Sequence, residues 1–148
     1  MYIRRKEKVI ENRYLFRAKR IDNGEWVEGY LSYPSCTEKG NESYYFYAKD
    51  SLGFFCRCVV DASTICQCTG LKDKNDKLIF ENDIVSYWDS YSTENGLAEA
   101  DCIGKVVWDD ETISFQVTNR LSAESWEVLD DECSVVGNAI DNPELLEV

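Results

Sequence analysis

The sequence contains no histidine, and it has only two prolines and one methionine in 148 residues. Without imidazole the chain lacks the commonest general base, the Ser–His and Cys–His nucleophile pairs, and a major class of metal ligand. No Walker A or Rossmann glycine pattern is present either. These absences predict a protein that is not an enzyme and has no cofactor. A cryptic enzyme or small-ligand binder that uses Lys or a buried carboxylate is the least favoured alternative.

Long apolar runs are also absent. No stretch approaches the roughly 20 apolar residues that a membrane-spanning helix requires, and the first twelve residues lack the apolar segment of a secretory signal. The seven cysteines are odd in number, and without a signal they are interpreted as reduced thiols. The sequence therefore predicts a cytoplasmic protein without a membrane partner.

The charge is strongly negative and unevenly distributed. Net charge is -12, yet residues 1–20 carry eight basic side chains against two acidic ones, which leaves -18 on the remaining 128 residues. Such a body repels nucleic acid, because non-specific affinity for DNA comes from neutralised phosphates, and it attracts basic partners. Maintenance of solubility is the simpler interpretation of this surface.

Short alternating segments rich in aromatic and β-branched residues predict a mainly β protein. We expect a basic extension over residues 1–12, an N-terminal β subdomain over 13–70 and a C-terminal β subdomain over 71–148, divided near the turn that begins at Gly70. Residues 89–100 are rich in Ser, Glu and Asn and predict a loop. Asn142, Pro143 and Glu144 form a helix-start pattern that predicts a short C-terminal helix.

Four cysteines are the most suggestive constellation for chemistry. Cys56 and Cys58, with Cys66 and Cys68, could supply four thiolates to a tetrahedral zinc ion. However, two residues separated by one position share a face of a strand, and free cysteine packs well in cores. The favoured prediction has no metal: if the two strands pair, these are four small core side chains.

Three groups of residues are candidates for interaction. Trp88 and Tyr91 adjoin a polar segment, and aromatic side chains are enriched at interfaces. The carboxylates of Asp109, Asp110 and Glu111 lie in a predicted turn between two strands. Basic residues of the N-terminal extension could contact nucleic acid, or the acidic body of the same chain or of a second copy; they are Arg4, Arg5 and Lys6.

Several stretches together resemble the YopX family. They are Phe16-Arg17-Ala18, Gly24–Leu31, Val60–Asn75, Leu78–Val85, and Val135–Asn138 with Asp141–Leu146. The resemblance implies a small β-rich protein of bacteriophages and prophages, hence of a bacterial host cell, and it brings no established activity. The pattern Glu81-Asn82-Asp83-Ile84-Val85 also resembles the turn that opens an SH3-like barrel, which we expect in the C-terminal subdomain. The chain departs from the family pattern at Cys66, Cys68 and Asn82.

The leading hypothesis is a phage or prophage accessory protein that acts by protein–protein interaction through its acidic β surface. One version of this hypothesis is antagonism of a host nucleic-acid-binding or defence protein. The alternative is a nucleic-acid-associated regulatory module that uses the basic N-terminal arm, although direct nucleic-acid binding is not expected from the charge of the body.

Overall fold

The computed structural model describes residues 12–32, 43–50, 52–119, 126–128 and 132–147. The prediction of a mainly β protein is confirmed, because these residues form two antiparallel sheets with only 3-10 turns beside them. The first sheet consists of β1 (Phe16–Lys19), β2 (Trp26–Leu31), β3 (Tyr44–Lys49), β4 (Phe55–Val60), β5 (Cys66–Lys72) and β6 (Leu78–Phe80). The second consists of β7 (Asp83–Thr93), β8 (Gly96–Asp109), β9 (Ser114–Asn119), β10 (Trp126–Val128) and β11 (Ser134–Asn138). The 3-10 turns are η1 (Asn12–Tyr14), η2 (Ala62–Thr64) and η3 (Pro143–Leu146).

The first sheet has the strand order β4-β3-β2-β1-β5-β6 and curls across its first four strands. The end of β4 returns to the end of β1 through a bridge between Arg20 and Val60, so the sheet surrounds its inner face. Apolar side chains alternate along these strands and fill that face, as burial of every second residue requires. This cluster contains Ala18, Phe46, Ala48, Cys58 and Val60.

The second sheet has the order β10-β9-β8-β7-β11. The apolar cluster on it combines Val85, Val106 and Val117 of its own strands with Cys133 and with Ile79 of β6. The predicted SH3-like barrel is not confirmed, because the sheets are not closed. A barrel requires its edge strands to pair with each other, whereas β10 pairs with β9 and β11 pairs with β7, at opposite edges.

The predicted loop over residues 89–100 is instead a β-hairpin, so that prediction is wrong. β7 and β8 pair continuously from Ile84 and Lys105 to Thr93 and Gly96. β9 pairs with β8 only from Gly104 to Asp109, and β11 pairs with β7 only from Asp83 to Ser86. Residues 88–93 and 96–101 therefore form a two-stranded ribbon, here called the β7–β8 arm. Its polar composition reflects exposure on both faces rather than the absence of regular structure.

The predicted C-terminal helix is only the 3-10 turn Pro143–Leu146. Asn142 provides no side-chain cap to this turn. Its side-chain oxygen instead accepts a hydrogen bond from the backbone N–H of Asn138, at 3.3 Å. The residue that favours a helix start is thus engaged with the preceding strand. The boundary expected near residue 70 falls within β5, which pairs with both β1 and β6.

Candidate functional site

An acidic groove lies beside the turn between β8 and β9. Its volume is about 610 Å³, and it is lined by Trp108, Asp109, Asp110, Glu111, Thr112 and Gln116. The structure thus places the three acidic residues that the sequence singles out in one concavity. It also adds an aromatic wall that the sequence does not indicate.

The first carboxylate of the acidic groove shapes the turn. Asp109 accepts hydrogen bonds from the backbone N–H of Glu111 at 3.4 Å and of Thr112 at 3.1 Å, and from the Thr112 hydroxyl at 2.5 Å. These bonds, chiefly the one from the hydroxyl, lower the pKa of Asp109. Because its oxygen atoms are engaged within the turn, Asp109 positions the groove rather than offering a free carboxylate.

Asp110 contacts the indole of Trp108, and Glu111 lines the same groove. The Trp108 Nε1–H donates to Asp110 Oδ1 at 2.8 Å, and its ring packs edge-on against Phe115, with 5.1 Å between centroids. The Trp108 side chain stays 42% exposed. A half-exposed indole next to carboxylates suits a Lys or Arg side chain, which can make a cation–π contact and charge-assisted hydrogen bonds together.

The other predicted interaction residues do not join the acidic groove. Trp88 is 61% exposed and lies on the β7–β8 arm opposite Asp101. Trp108 lies seven positions beyond Asp101 in β8, which is about 24 Å along a strand. The backbone of Tyr91 lies in β7 opposite Ala98, but its side chain lies outside the described part, as do Arg4, Arg5 and Lys6.

The two cysteine pairs lie on strands that do not pair with each other. β1, β2 and β3 separate β4 from β5. Cys58 belongs to the cluster inside the curled sheet, whereas Cys66 and Cys68 pack with Phe80. The strand pairing that would bring the four thiols together is therefore not present. Burial raises the pKa of Cys58, Cys66 and Cys68, which keeps these thiols protonated.

A buried ion pair joins the two sheets, and the sequence does not single it out. Arg17 on β1 contacts Asp83 on β7 with 2.6 Å between Nη2 and Oδ1, and the side chains are 12% and 1% exposed. The second carboxylate oxygen accepts the backbone N–H of Phe80 at 2.8 Å. Burial raises the pKa of Asp83, and the Arg17 guanidinium opposes that rise.

Aromatic rings and a second ion pair complete this sheet junction. The Arg17 guanidinium lies 5.0 Å from the Trp26 ring centroid and 4.7 Å from that of Phe80. Asp141 receives the Trp26 indole N–H at 2.6 Å and pairs with Lys19 at 2.5 Å. The hydrogen bonds from Lys19 and Trp26 lower the pKa of Asp141.

A second feature that the sequence leaves unmarked is an aromatic face on the outside of the curled sheet. Tyr30 lies opposite Tyr47, which lies opposite Arg57, and Lys49 lies opposite Phe55. The three rings of Tyr30, Tyr47 and Phe55 are between 42% and 64% exposed. The alternation Tyr45-x-Tyr47-x-Lys49 is the signal that could have indicated it, because alternate residues of a strand share one face.

The curled sheet, the open second sheet and the ion-paired junction define the class as a two-sheet antiparallel β protein. Residues 15–147 match the YopX protein family, and the chain belongs to this family. The chain is similar to the crystal structure of protein EF1440 from Enterococcus faecalis, at 27% identity and a TM-score of 0.46, over 89% of this chain and 96% of that chain. The comparison with curated proteins found no match. In the described residues no helix is long and apolar enough to cross a membrane.

The stretches that carry the family resemblance meet at the sheet junction. Arg17, Trp26, Phe80, Asp83 and Asp141 all belong to those stretches, and each contacts at least one of the others there. The family pattern therefore describes how the two sheets are joined. The acidic groove and the aromatic face lie outside those contacts.

Proposed function

We propose that this protein is a phage or prophage accessory protein that binds a basic segment of a partner protein, with the acidic groove as its contact. It acts by binding and not by catalysis, inside the bacterial host cell. The observation that carries the proposal is the groove itself, which Asp110, Glu111 and the half-exposed indole of Trp108 line together, with Asp110 bonded to the indole. Segments rich in Lys and Arg are common in nucleic-acid-binding proteins, so such a host protein is the proposed class of partner.

The charge of the whole molecule supports this assignment. The body's excess of acidic side chains attracts a basic partner from a distance and speeds encounter. The acidic groove then supplies short-range recognition, since a cation that enters it meets carboxylates and a ring face at once. Long-range attraction is screened by salt, so complex formation should weaken as ionic strength rises.

Two fluorescent ten-residue peptides test the proposal, one of alternating Arg and Gly and one of alternating Glu and Gly. We expect the Arg peptide alone to bind, and the double variant Asp110→Asn/Glu111→Gln to bind it at least tenfold more weakly, which corresponds to about 1.4 kcal/mol. Trp108→Leu should weaken binding several-fold through loss of the cation–π contact. Fluorescence anisotropy at low and physiological salt measures all of these.

The matched control is Glu94→Gln/Glu99→Gln, in the tip turn and the second strand of the β7–β8 arm, which removes the same charge far from the acidic groove. Because only long-range attraction changes there, we expect less than a twofold effect. Equal weakening by both double variants would show general attraction to the acidic body and would refute the groove. Absence of binding to the Arg peptide at low salt would refute the proposed function.

A further inference from the structure

The aromatic face comprises Tyr30 of β2, Tyr45, Tyr47 and Lys49 of β3, and Phe55 and Arg57 of β4. These side chains lie opposite the buried cluster around Phe46, as the burial pattern of β3 and β4 shows. Tyr30 is 42% exposed, Tyr47 48% and Phe55 64%. Three neighbouring exposed rings form an apolar patch, and such patches mark interaction or ligand-binding sites.

The rings form a regular array. Tyr30, Tyr47 and Arg57 are successive cross-strand neighbours in one row, and Lys49 and Phe55 are neighbours in the next. Neighbouring strands are about 4.8 Å apart, and residues on one face recur about every 6.8 Å along a strand. The array therefore offers several flat surfaces at fixed separations. A shallow hollow of about 330 Å³ lies among them, with Tyr30, Tyr47, Lys49 and Phe55 in its lining.

The two cations of the face each lie against a ring, Arg57 against a tyrosine outside its own row. The guanidinium carbon of Arg57 lies 3.7 Å from the centroid of Tyr45, and Lys49 Nζ lies 5.3 Å from that of Phe55. Within the described chain, neither cation forms an ion pair. Glu28 is the one carboxylate in the lining of the hollow. The face thus combines aromatic surfaces with unpaired positive charge, on a body that is otherwise strongly acidic.

We propose that the aromatic face binds single-stranded nucleic acid. Bases stack on Tyr30, Tyr47 and Phe55, and backbone phosphates contact Lys49 and Arg57. Stacking on exposed rings beside cations is how proteins hold unpaired strands without reading sequence. A duplex is excluded, because its bases are already stacked and its denser phosphates meet the acidic body. This inference does not depend on the acidic groove or on its peptide partner.

The charge of the body gives this site a distinctive salt dependence. Two phosphate contacts to a single strand predict a slope of log K against log salt of about -1.4. Repulsion between the strand and the acidic body is relieved by salt, which makes the slope shallower still. Binding driven by stacking should therefore persist at salt concentrations that dissociate most nucleic-acid complexes.

Fluorescence anisotropy with a labelled 15-nucleotide oligothymidine, an oligouridine of the same length, an abasic 15-mer and a 15-base-pair duplex provides the test. We expect the two single strands to bind and the abasic strand and duplex to bind at least tenfold more weakly. Tyr30→Thr/Tyr47→Thr should weaken oligothymidine binding by at least tenfold, and Tyr30→Phe/Tyr47→Phe should restore it, since a ring alone suffices for stacking. Thr keeps strand propensity, and circular dichroism checks that the variant folds.

Two controls distinguish this face from other sites. Trp88→Ala removes an exposed ring on the β7–β8 arm and should leave oligothymidine binding unchanged. Replacement of Arg4, Arg5 and Lys6 by Ala should also have little effect. If that triple change abolishes binding while the Tyr→Thr pair does not, the basic extension is the site and the inference is wrong. Equal affinity for the abasic strand would also refute it. So would the absence of binding at 100 micromolar protein, which is about the largest dissociation constant of non-specific complexes.

Discussion

The Arg17–Asp83 pair is a residue-level interaction that joins the two sheets. Because both side chains are nearly buried, Asp83→Ala leaves an uncompensated guanidinium between Trp26 and Phe80. We expect a loss of about 3–5 kcal/mol in the free energy of unfolding. Urea denaturation followed by tryptophan fluorescence measures it.

An exposed pair of similar length is the matched control. Arg20 and Asp22 are 2.7 Å apart, but their side chains are 34% and 63% exposed to water. Asp22→Ala should produce no measurable change, because solvent screens exposed pairs. A loss at Asp83 no larger than the loss at Asp22 would contradict the role assigned to burial.

Asp141 gives the junction a dependence on pH. Its pKa is lowered by Lys19 and Trp26, so the carboxylate stabilises the fold above the ordinary aspartate pKa of about 3.9. That stabilisation is lost as pH falls through the lower folded-state value. Asp141→Asn should be less stable than the parent at pH 7, and the difference should shrink below about pH 4. Chemical denaturation from pH 7 to pH 3 measures the difference, and a constant difference would refute the assignment.

The sequence predicts well which side chains of a strand share a face, but it does not predict which distant residues pack on that face. The alternation around Phe16 and Ala18 places them inward, as found, and Arg17 on the opposite side. Nothing local indicates that Asp83, 66 positions away, covers Arg17. Asn82 has a positive φ of 67°, a conformation that Asn tolerates better than most residues, and the constraint is set by its own tight turn.

Among the elements, the β7–β8 arm should contribute least to stability. A two-stranded ribbon without a third strand is marginal on its own, and Trp88 and Leu97 on it are 61% and 79% exposed. Replacing residues 89–100 by Asn-Gly connects the paired residues Trp88 and Asp101 through a favoured hairpin turn. We expect the free energy of unfolding to change by less than about 1 kcal/mol, because little apolar surface is lost.

Thermal denaturation and circular dichroism of the shortened chain measure this effect. A parallel change, Val106→Ala in the base of the same hairpin, should cost about 1–3 kcal/mol because Val106 is fully buried. A larger loss from shortening the arm than from Val106→Ala would show that the arm packs more than the structure indicates.

Composition led to the wrong prediction of a loop at residues 89–100 for a physical reason. A ribbon that is exposed on both faces has no apolar alternation, so its polar residues resemble those of a loop. The expected barrel fails for a related reason. The hairpin pattern around residues 104–118 is local and correct in kind, but closure depends on which strands lie at the edges, and those pairings are remote in sequence.

For the whole molecule, net charge should act against folding. A charge of -12 produces self-repulsion that favours expanded states. Raising sodium chloride from 0.01 to 0.1 M shortens the Debye length from about 30 to about 10 Å, so the melting temperature should rise by several degrees. Differential scanning calorimetry in chloride, which avoids the exclusion effects of sulfate, measures the shift. A falling melting temperature would mean that attractive surface pairs dominate.

The distribution of buried cysteines gives the molecule built-in markers of its own opening. Cys58 lies within the curled sheet, Cys66 and Cys68 pack with Phe80 of β6, and Cys133 lies in the cluster of the second sheet. A thiol reagent reaches such a side chain only when its surroundings open. The rate at which each cysteine is alkylated under native conditions therefore measures how readily its own region opens. Equal rates would mean that the two sheets open as one cooperative unit.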